Sequence, residues 1–242
     1  MSAIITIAEK CQTCYSCVRN CPAKAIKVED GQSKIVDDRC ISCGNCVRVC
    51  AQKAKKIDTR DLDSVRVYLK TQNTVAMLAP SFPAAFPGVT AADLFTALLE
   101  MGFSSVEEVT LGIKLTVPKY RDHLDRTEGT VIASYCPAVV GLIERQYPSL
   151  MPVLAPIDSA VMATAKYVRS INKFAEIVFI GPCVAKKDEA RFDERNLVNA
   201  VLTFRELKIL FQENDITLNR TDDFEPAPEQ FLPRVFPVSG GL

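Results

Sequence analysis

The chain has 242 residues, 48% of them hydrophobic, a single histidine and a formal net charge of zero. That length and composition fit an ordinary globular protein with room for one large domain and one small one. The charge balance excludes a whole-chain electrostatic footprint for nucleic acid or an anionic membrane, and no apolar run approaches the roughly 18–20 residues that span a bilayer.

In chain order, Met1 to Ile7 is short, alternating and apolar, without a basic leader or cleavage site, and is expected to be a strand rather than a signal peptide. Next comes Cys11-Gln12-Thr13-Cys14-Tyr15-Ser16-Cys17, then three residues and Cys21-Pro22. Cys40, Cys43, Cys46 and Cys50 repeat that spacing, so eight of the ten cysteines lie in two copies of one pattern. The run C-x2-C-x2-C-x3-C-P sets three thiolates on a tight loop and lends the fourth to the other cluster. This assigns Cys11, Cys14, Cys17 and Cys50 to one 4Fe-4S cluster, and Cys40, Cys43, Cys46 and Cys21 to a second. Zinc usually takes two separated C-x2-C pairs, and a disulfide framework needs an oxidising compartment, so both weigh less. The stretch resembles the bacterial dicluster ferredoxins over its whole length, with Ala51 where the second copy would carry proline. Between the runs, Ala25–Val28 and Ser33–Val36 flank Glu29-Asp30-Gly31, a hairpin pattern. Ten cysteines, no export signal and oxygen-sensitive clusters point to a reducing cytoplasm.

The expected fold is an α+β dicluster ferredoxin domain over residues 1–60, a polar connection over 61–74, and an α/β parallel-sheet domain over 75–242. In that last domain Val75–Ala79 reads as a strand. Thr90-Ala91-Ala92-Asp93 is a capping box before a helix stopped by Gly102. Val106–Val109 is the next strand, and Leu111–Arg126 a helix broken or kinked by Pro118. Thr130–Ala133 is a third strand and Ala138–Gln146 the helix after it. Asp158 and Ser159 offer caps for an apolar helix to Ile171, and Ala175–Ile180 is the clearest strand. Ala200–Leu202 leads into the capping box Thr203-x-x-Glu206, with Phe204, Leu207, Leu210 and Phe211 on one face. Asp222–Glu229 reads as a loop and Arg234–Val238 as a last apolar run. His123, on a charged stretch, is expected to be a plain surface residue.

The two remaining cysteines each follow an expected strand, precede an expected helix and adjoin a proline. In a parallel sheet such strand ends face the ligand crevice. Taken singly, each would be an ordinary core cysteine; their matched contexts beside a dicluster module suggest one shared site.

Ser134-Tyr135-Cys136-Pro137 and Pro182-Cys183-Val184-Ala185-Lys186-Lys187-Asp188-Glu189 resemble two active-site motifs of the iron-only (FeFe) hydrogenases, and Leu78-Ala79-Pro80-Ser81 is similar to the segment beside that site. The resemblance implies a third 4Fe-4S cluster held by four cysteines and bridged to a two-iron unit bearing CO and cyanide. Cys136 and Cys183 match two of its ligands. Lys186 matches the lysine that donates to a cyanide, and Pro80 and Ser81 match residues that pack against and hydrogen-bond the two-iron unit. Tyr135 stands where catalytic members carry a proton-relaying cysteine, and a phenol with a pKa near 10 relays poorly at neutral pH. An acidic pair of catalytic members is also missing after Val109. Both departures fit the family's sensory branch, whose longer members append signalling domains.

The motif that would supply the other two cysteines is absent, and the Gly240-Gly241-Leu242 end resembles the segment preceding it. The expectation is therefore a truncated domain with two ferredoxin-type clusters, an incomplete third site unless a partner supplies ligands, and an edge that invites homodimerisation. The functional expectation is a hydrogen or redox sensor with little or no turnover, served by a redox partner protein. The alternatives are an electron-transfer protein with a docking or regulatory C-terminal domain, and an iron–sulfur assembly factor of the hydrogenase-like kind.

Overall fold

The computed structural model describes residues 2–218; the expected loop 222–229, the run 234–238 and the Gly240-Gly241-Leu242 end lie outside them. In chain order the elements are β1 (Ile4–Thr6), α1 (Ser16–Arg19), β2 (Ile26–Glu29), β3 (Gln32–Ile35), α2 (Asn45–Arg48), β4 (Lys55–Ile57), α3 (Arg60–Tyr68), β5 (Thr74–Leu78), α4 (Phe82–Ala85), α5 (Ala91–Glu100), β6 (Ser105–Glu108), α6 (Thr110–Arg126), α7 (Pro137–Gln146), α8 (Ala160–Ile171), β7 (Glu176–Gly181), α9 (Ala185–Phe192), β8 (Ala200–Thr203) and α10 (Phe204–Glu213). They form two compact units that interleave along the chain.

The first unit joins the segment ending at Thr59 to Gly129–Pro156 and Cys183–Phe192. Its core is two antiparallel pairs, β1 with β4 and β2 with β3. The β2–β3 hairpin closes through Asp30 and Gly31, whose φ values of 53° and 69° are those a two-residue primed turn requires. α7 adds Ala138 and Leu142 to the apolar cluster of Ala23, Ala25 and Ile41, and the Gln146 side-chain amide donates to the Ala23 carbonyl at 2.5 Å. Val184 packs against the cluster of Ile4, Cys17, Ile26 and Cys46.

The second unit comprises Arg60–Glu128, Ile157–Pro182 and the chain from Asp193. Its four-stranded sheet runs β6-β5-β7-β8, every pair parallel. The central strands read as continuous apolar runs because helices cover both faces: every residue of β5 is buried, and of β7 all but Glu176. α5 and α10 start at the capping boxes Thr90–Asp93 and Thr203–Glu206. Phe86 meets Phe204 and Phe211 edge to face, with centroids 5.7 and 6.2 Å apart. α6 and α8 pack together where Gly112 lies against the Ala160 carbonyl.

Three local expectations change. Residues 61–74 carry α3, a helix with only Leu62 and Val65 buried, too sparse an apolar pattern to stand out. α6 runs unbroken through Pro118; Lys114 and Pro118 are both exposed, so water can take the carbonyl that the proline leaves unbonded. Thr130–Ala133 is not a sheet strand. Ile132 makes an isolated parallel bridge to Leu154 instead, its N–H donating to Val153 at 2.7 Å and its carbonyl accepting from Ala155 at 2.8 Å.

Candidate metal centres

The cysteine loops are shaped by backbone that few side chains tolerate. Thr13 and Tyr15 in the first loop, and Ser42 and Gly44 in the second, have positive φ. The left-handed residues Tyr15 and Gly44 then cap the short helices α1 and α2 that carry Cys17 and Cys46.

The structure brings Cys11, Cys14, Cys17 and Cys50 around one chamber, together with Val28, Ser33 and Lys55. Cys21, Cys40, Cys43 and Cys46 surround a second, with Ile4, Ile26 and Ile35. Each loop thus supplies three thiols to one chamber and one to the other. Among the described residues no three His, Cys, Asp or Glu side chains converge tightly enough for a single ion, whereas thiols spaced around a chamber suit a cubane spread over several irons.

Donors to sulfur are also in place. The N–H groups of Ala25 and Ala54 point at the sulfurs of Cys21 and Cys50, at 3.3 and 3.2 Å. The hydroxyls of Ser33 and Ser2 lie 3.4 and 3.2 Å from the sulfurs of Cys11 and Cys40. Hydrogen bonds from Ser33, first its hydroxyl and then its backbone, and from the Thr13 backbone hold the Cys11 thiol at about 7, with the Lys55 ammonium adding to the pull. Burial pushes Cys46 up to about 12. Such a thiol is neutral in water at pH 7 and becomes a ligand only against the positive charge of iron, which couples cluster loading to folding. The donor set fits 4Fe-4S clusters, whose chemistry here is one-electron storage and transfer.

Cys136 and Cys183 belong to the same unit. Cys136 is the exposed N-cap of α7, and Cys183 precedes α9. Burial raises the Cys183 thiol; N–H groups of Ala185 and Lys186 and the Lys186 ammonium oppose the rise, while Cys136 adds to it by like-charge repulsion. Two thiols are half of a four-thiolate site, and the other eight cysteines of the chain surround the two chambers.

Lys186 is 8% exposed and its Nζ lies 2.6 Å from Glu189 Oε2; Lys187 is fully buried, so neither lies on a solvated helix start. Asp188, also buried, accepts a hydrogen bond from Ser42 between Cys40 and Cys43. Pro80 and Ser81, half-buried, are in the second unit, just past the end of β5, with Ser81 at the N-cap position of α4 but without a side-chain capping bond. His123 is half-buried on α6. Sequence reasoning missed the roles of Lys55 and Asp188; Lys55 stands where the other cysteine repeat carries Ile26, and that break in the repeat is the signal that could have pointed to it.

Residues 72–242 match the model of the iron-only hydrogenase large subunit, C-terminal domain, and residues 3–51 match a 4Fe-4S dicluster domain. The chain is 29% identical over 153 residues to iron hydrogenase 1 of Clostridium pasteurianum, covering 56% of this chain and 27% of that protein. It is 28% identical over 151 residues to the cytosolic Fe-S cluster assembly factor NAR1 of Debaryomyces hansenii, covering 54% of this chain and 27% of that protein. The matched part thus spans about a quarter of the length of these relatives. No described helix is long and apolar enough to cross a membrane.

Proposed function

The chain belongs to the iron-only hydrogenase large-subunit family, and from that premise we propose that it is a hydrogen or redox sensor of the cytoplasm rather than a turnover enzyme. A redox partner protein exchanges electrons with two 4Fe-4S clusters, one on Cys11, Cys14, Cys17 and Cys50 and one on Cys21, Cys40, Cys43 and Cys46. The clusters relay them toward a distal site at Cys136 and Cys183, completed by ligands from outside these residues. The observation that carries the reading is that Cys136, at the start of α7, and Cys183, just before α9, fall in the unit that holds both four-cysteine chambers. Tyr135, in place of a relaying thiol, argues against rapid proton delivery.

Iron and acid-labile sulfide per chain, with EPR of the reduced protein, test this after anaerobic reconstitution of the wild type and of the Cys136→Ser/Cys183→Ser double variant. About twelve irons falling to about eight in the variant supports the distal site. About eight in both means that these residues by themselves are a dicluster electron carrier with a docking domain, and confines any sensor function to a form that supplies the missing ligands.

The similarity to an assembly factor favours a second reading, in which clusters are cargo handed to other proteins. Transfer of labelled iron and sulfide from the loaded chain to an apo-ferredoxin would favour it; clusters that stay on the chain through repeated redox cycles would exclude it.

A further inference from the structure

The two cluster-binding halves are a close internal repeat. One interval separates Cys11 from Cys40, Cys14 from Cys43, Cys17 from Cys46 and Cys21 from Cys50, and the same interval relates the positive-φ pairs Thr13 and Ser42, Tyr15 and Gly44, Lys24 and Lys53. It also relates the N–H···S donors Ala25 and Ala54. The hydroxyls are not equal in number: Ser33 lies beside Cys11 and Ser16 lies 3.6 Å from the Cys14 sulfur, whereas the other cluster has Ser2 beside Cys40. Among the hydrogen bonds to sulfur, a main determinant of cluster potential, the Ala25 and Ala54 donors are thus matched, while the hydroxyls lean toward the Cys11 side, the same direction as the charge at Lys55.

The repeat breaks at one cross-strand pair. Where β2 and β3 set Ile26 opposite Ile35, β4 and β1 set Lys55 opposite Thr6. Lys55 is 2% exposed, and its ammonium donates to the Thr6 hydroxyl and, at 2.8 Å, to the Ser33 carbonyl. Neither partner carries a negative charge. A buried ammonium held only by neutral groups is costly unless an anion stands nearby. Lys55 lines the Cys11 chamber, as Ile26 and Ile35 line the other, and a thiolate-ligated 4Fe-4S cluster carries about two negative charges oxidised and about three reduced.

We infer that Lys55 makes the cluster held by Cys11, Cys14, Cys17 and Cys50 the first electron acceptor of the two. One electron from a low-potential one-electron donor enters that cluster, lowering its core charge by one, with no bond made or broken and no proton moved. The ammonium favours the more negative, reduced form, and a buried charge is weakly screened by solvent and salt. Lys55 lines the Cys11 chamber and is not among the residues around the other, so the potential of the Cys11 cluster rises more. This rests on the dicluster reading above.

The test is NMR of the reconstituted full chain given one electron per molecule by dithionite, following the hyperfine-shifted β-methylene signals of the cluster cysteines. In the wild type the signals of Cys11, Cys14, Cys17 and Cys50 move first. In Lys55→Ile, which copies the other half, and in Lys55→Met, the occupancy ratio of the two clusters drops by about tenfold or more. First reduction at the Cys40 side in the wild type overturns the inference even if both variants misfold, as does an unchanged ratio in variants that load fully. Iron content short of two clusters instead sinks the dicluster reading, and this inference with it.

Discussion

The Asp188 carboxylate accepts a hydrogen bond from the Ser42 hydroxyl, joining residues 146 positions apart. It ties α9, which carries Lys186, to the loop between Cys40 and Cys43. Ser42 is fully buried and left-handed, with φ 49°, so its hydroxyl is aimed by the loop itself. Ser42→Ala removes the donor and leaves a buried carboxylate short of a partner, a loss of about 1–3 kcal/mol. Chemical denaturation of the loaded protein measures it, and an unchanged midpoint would discount the contact.

Asp188 also gives a pH dependence of definite sign. Burial raises its carboxyl above the ordinary 3.8, against the pull of the Ser42 hydrogen bond, the Arg191 guanidinium, the Ala3 amide and the Arg145 charge. A carboxyl raised by folding contributes stability that is full below its unfolded pKa and is lost as pH rises through the folded value. Asp188→Asn keeps a carbonyl for Ser42 but cannot ionise. Relative to wild type, its denaturation midpoint should therefore improve as pH rises from the ordinary 3.8 through the raised folded value. A difference that stays flat or shrinks over that window would contradict the assignment.

What was legible in the sequence was local. The capping boxes at Thr90–Asp93 and Thr203–Glu206, the Asp30-Gly31 turn and the apolar runs of β5 and β7 each declare themselves within a few residues, and each forms. Thr130–Ala133 looked equally like a strand, but pairing is decided by what lies alongside, and only Leu154 does. The interleaving that gathers Cys136, Cys183 and both cysteine loops in one unit depends on which distant segments pack together, such as Ala138 and Leu142 on Ile41. Lys55 was hidden because lysine defaults to the surface. Its burial follows from a strand register that places it opposite Thr6.

In the second unit the close approach of α6 and α8 at Gly112 gives another prediction. A Cβ on Gly112 would lie 1.9 Å from the Ala160 carbonyl oxygen and 2.4 Å from Thr164 Oγ1. The first obstacle is backbone and cannot turn aside. The Gly112 N–H also donates to Thr164 Oγ1 at 3.1 Å, so separating α6 from α8 breaks that bond too. Gly112→Ala should cost about 1–3 kcal/mol or more, read as a lowered thermal midpoint with the ultraviolet–visible cluster absorption unchanged. A neutral result would mean that the two helices do not meet at Gly112.

The crossed arrangement of the cysteines makes a prediction about which variants resemble each other. If each chamber holds one cluster, Cys50→Ser should damage the same cluster as Cys14→Ser, although Cys50 lies in the other sequence motif. Likewise Cys21→Ser should pair with Cys43→Ser. Serine is a harder, more basic ligand, so a serine-ligated cluster is either lost, removing about four irons per chain, or retained at a lower potential. Cys14 and Cys43 are exposed and Cys21 and Cys50 half-buried, which keeps folding damage small in all four variants. EPR of the partly reduced proteins should sort them into two pairs, Cys14 with Cys50 and Cys21 with Cys43. Sorting by sequence motif instead, Cys14 with Cys21 and Cys43 with Cys50, would mean that each loop closes its own cluster and that the two chambers do not correspond to the clusters.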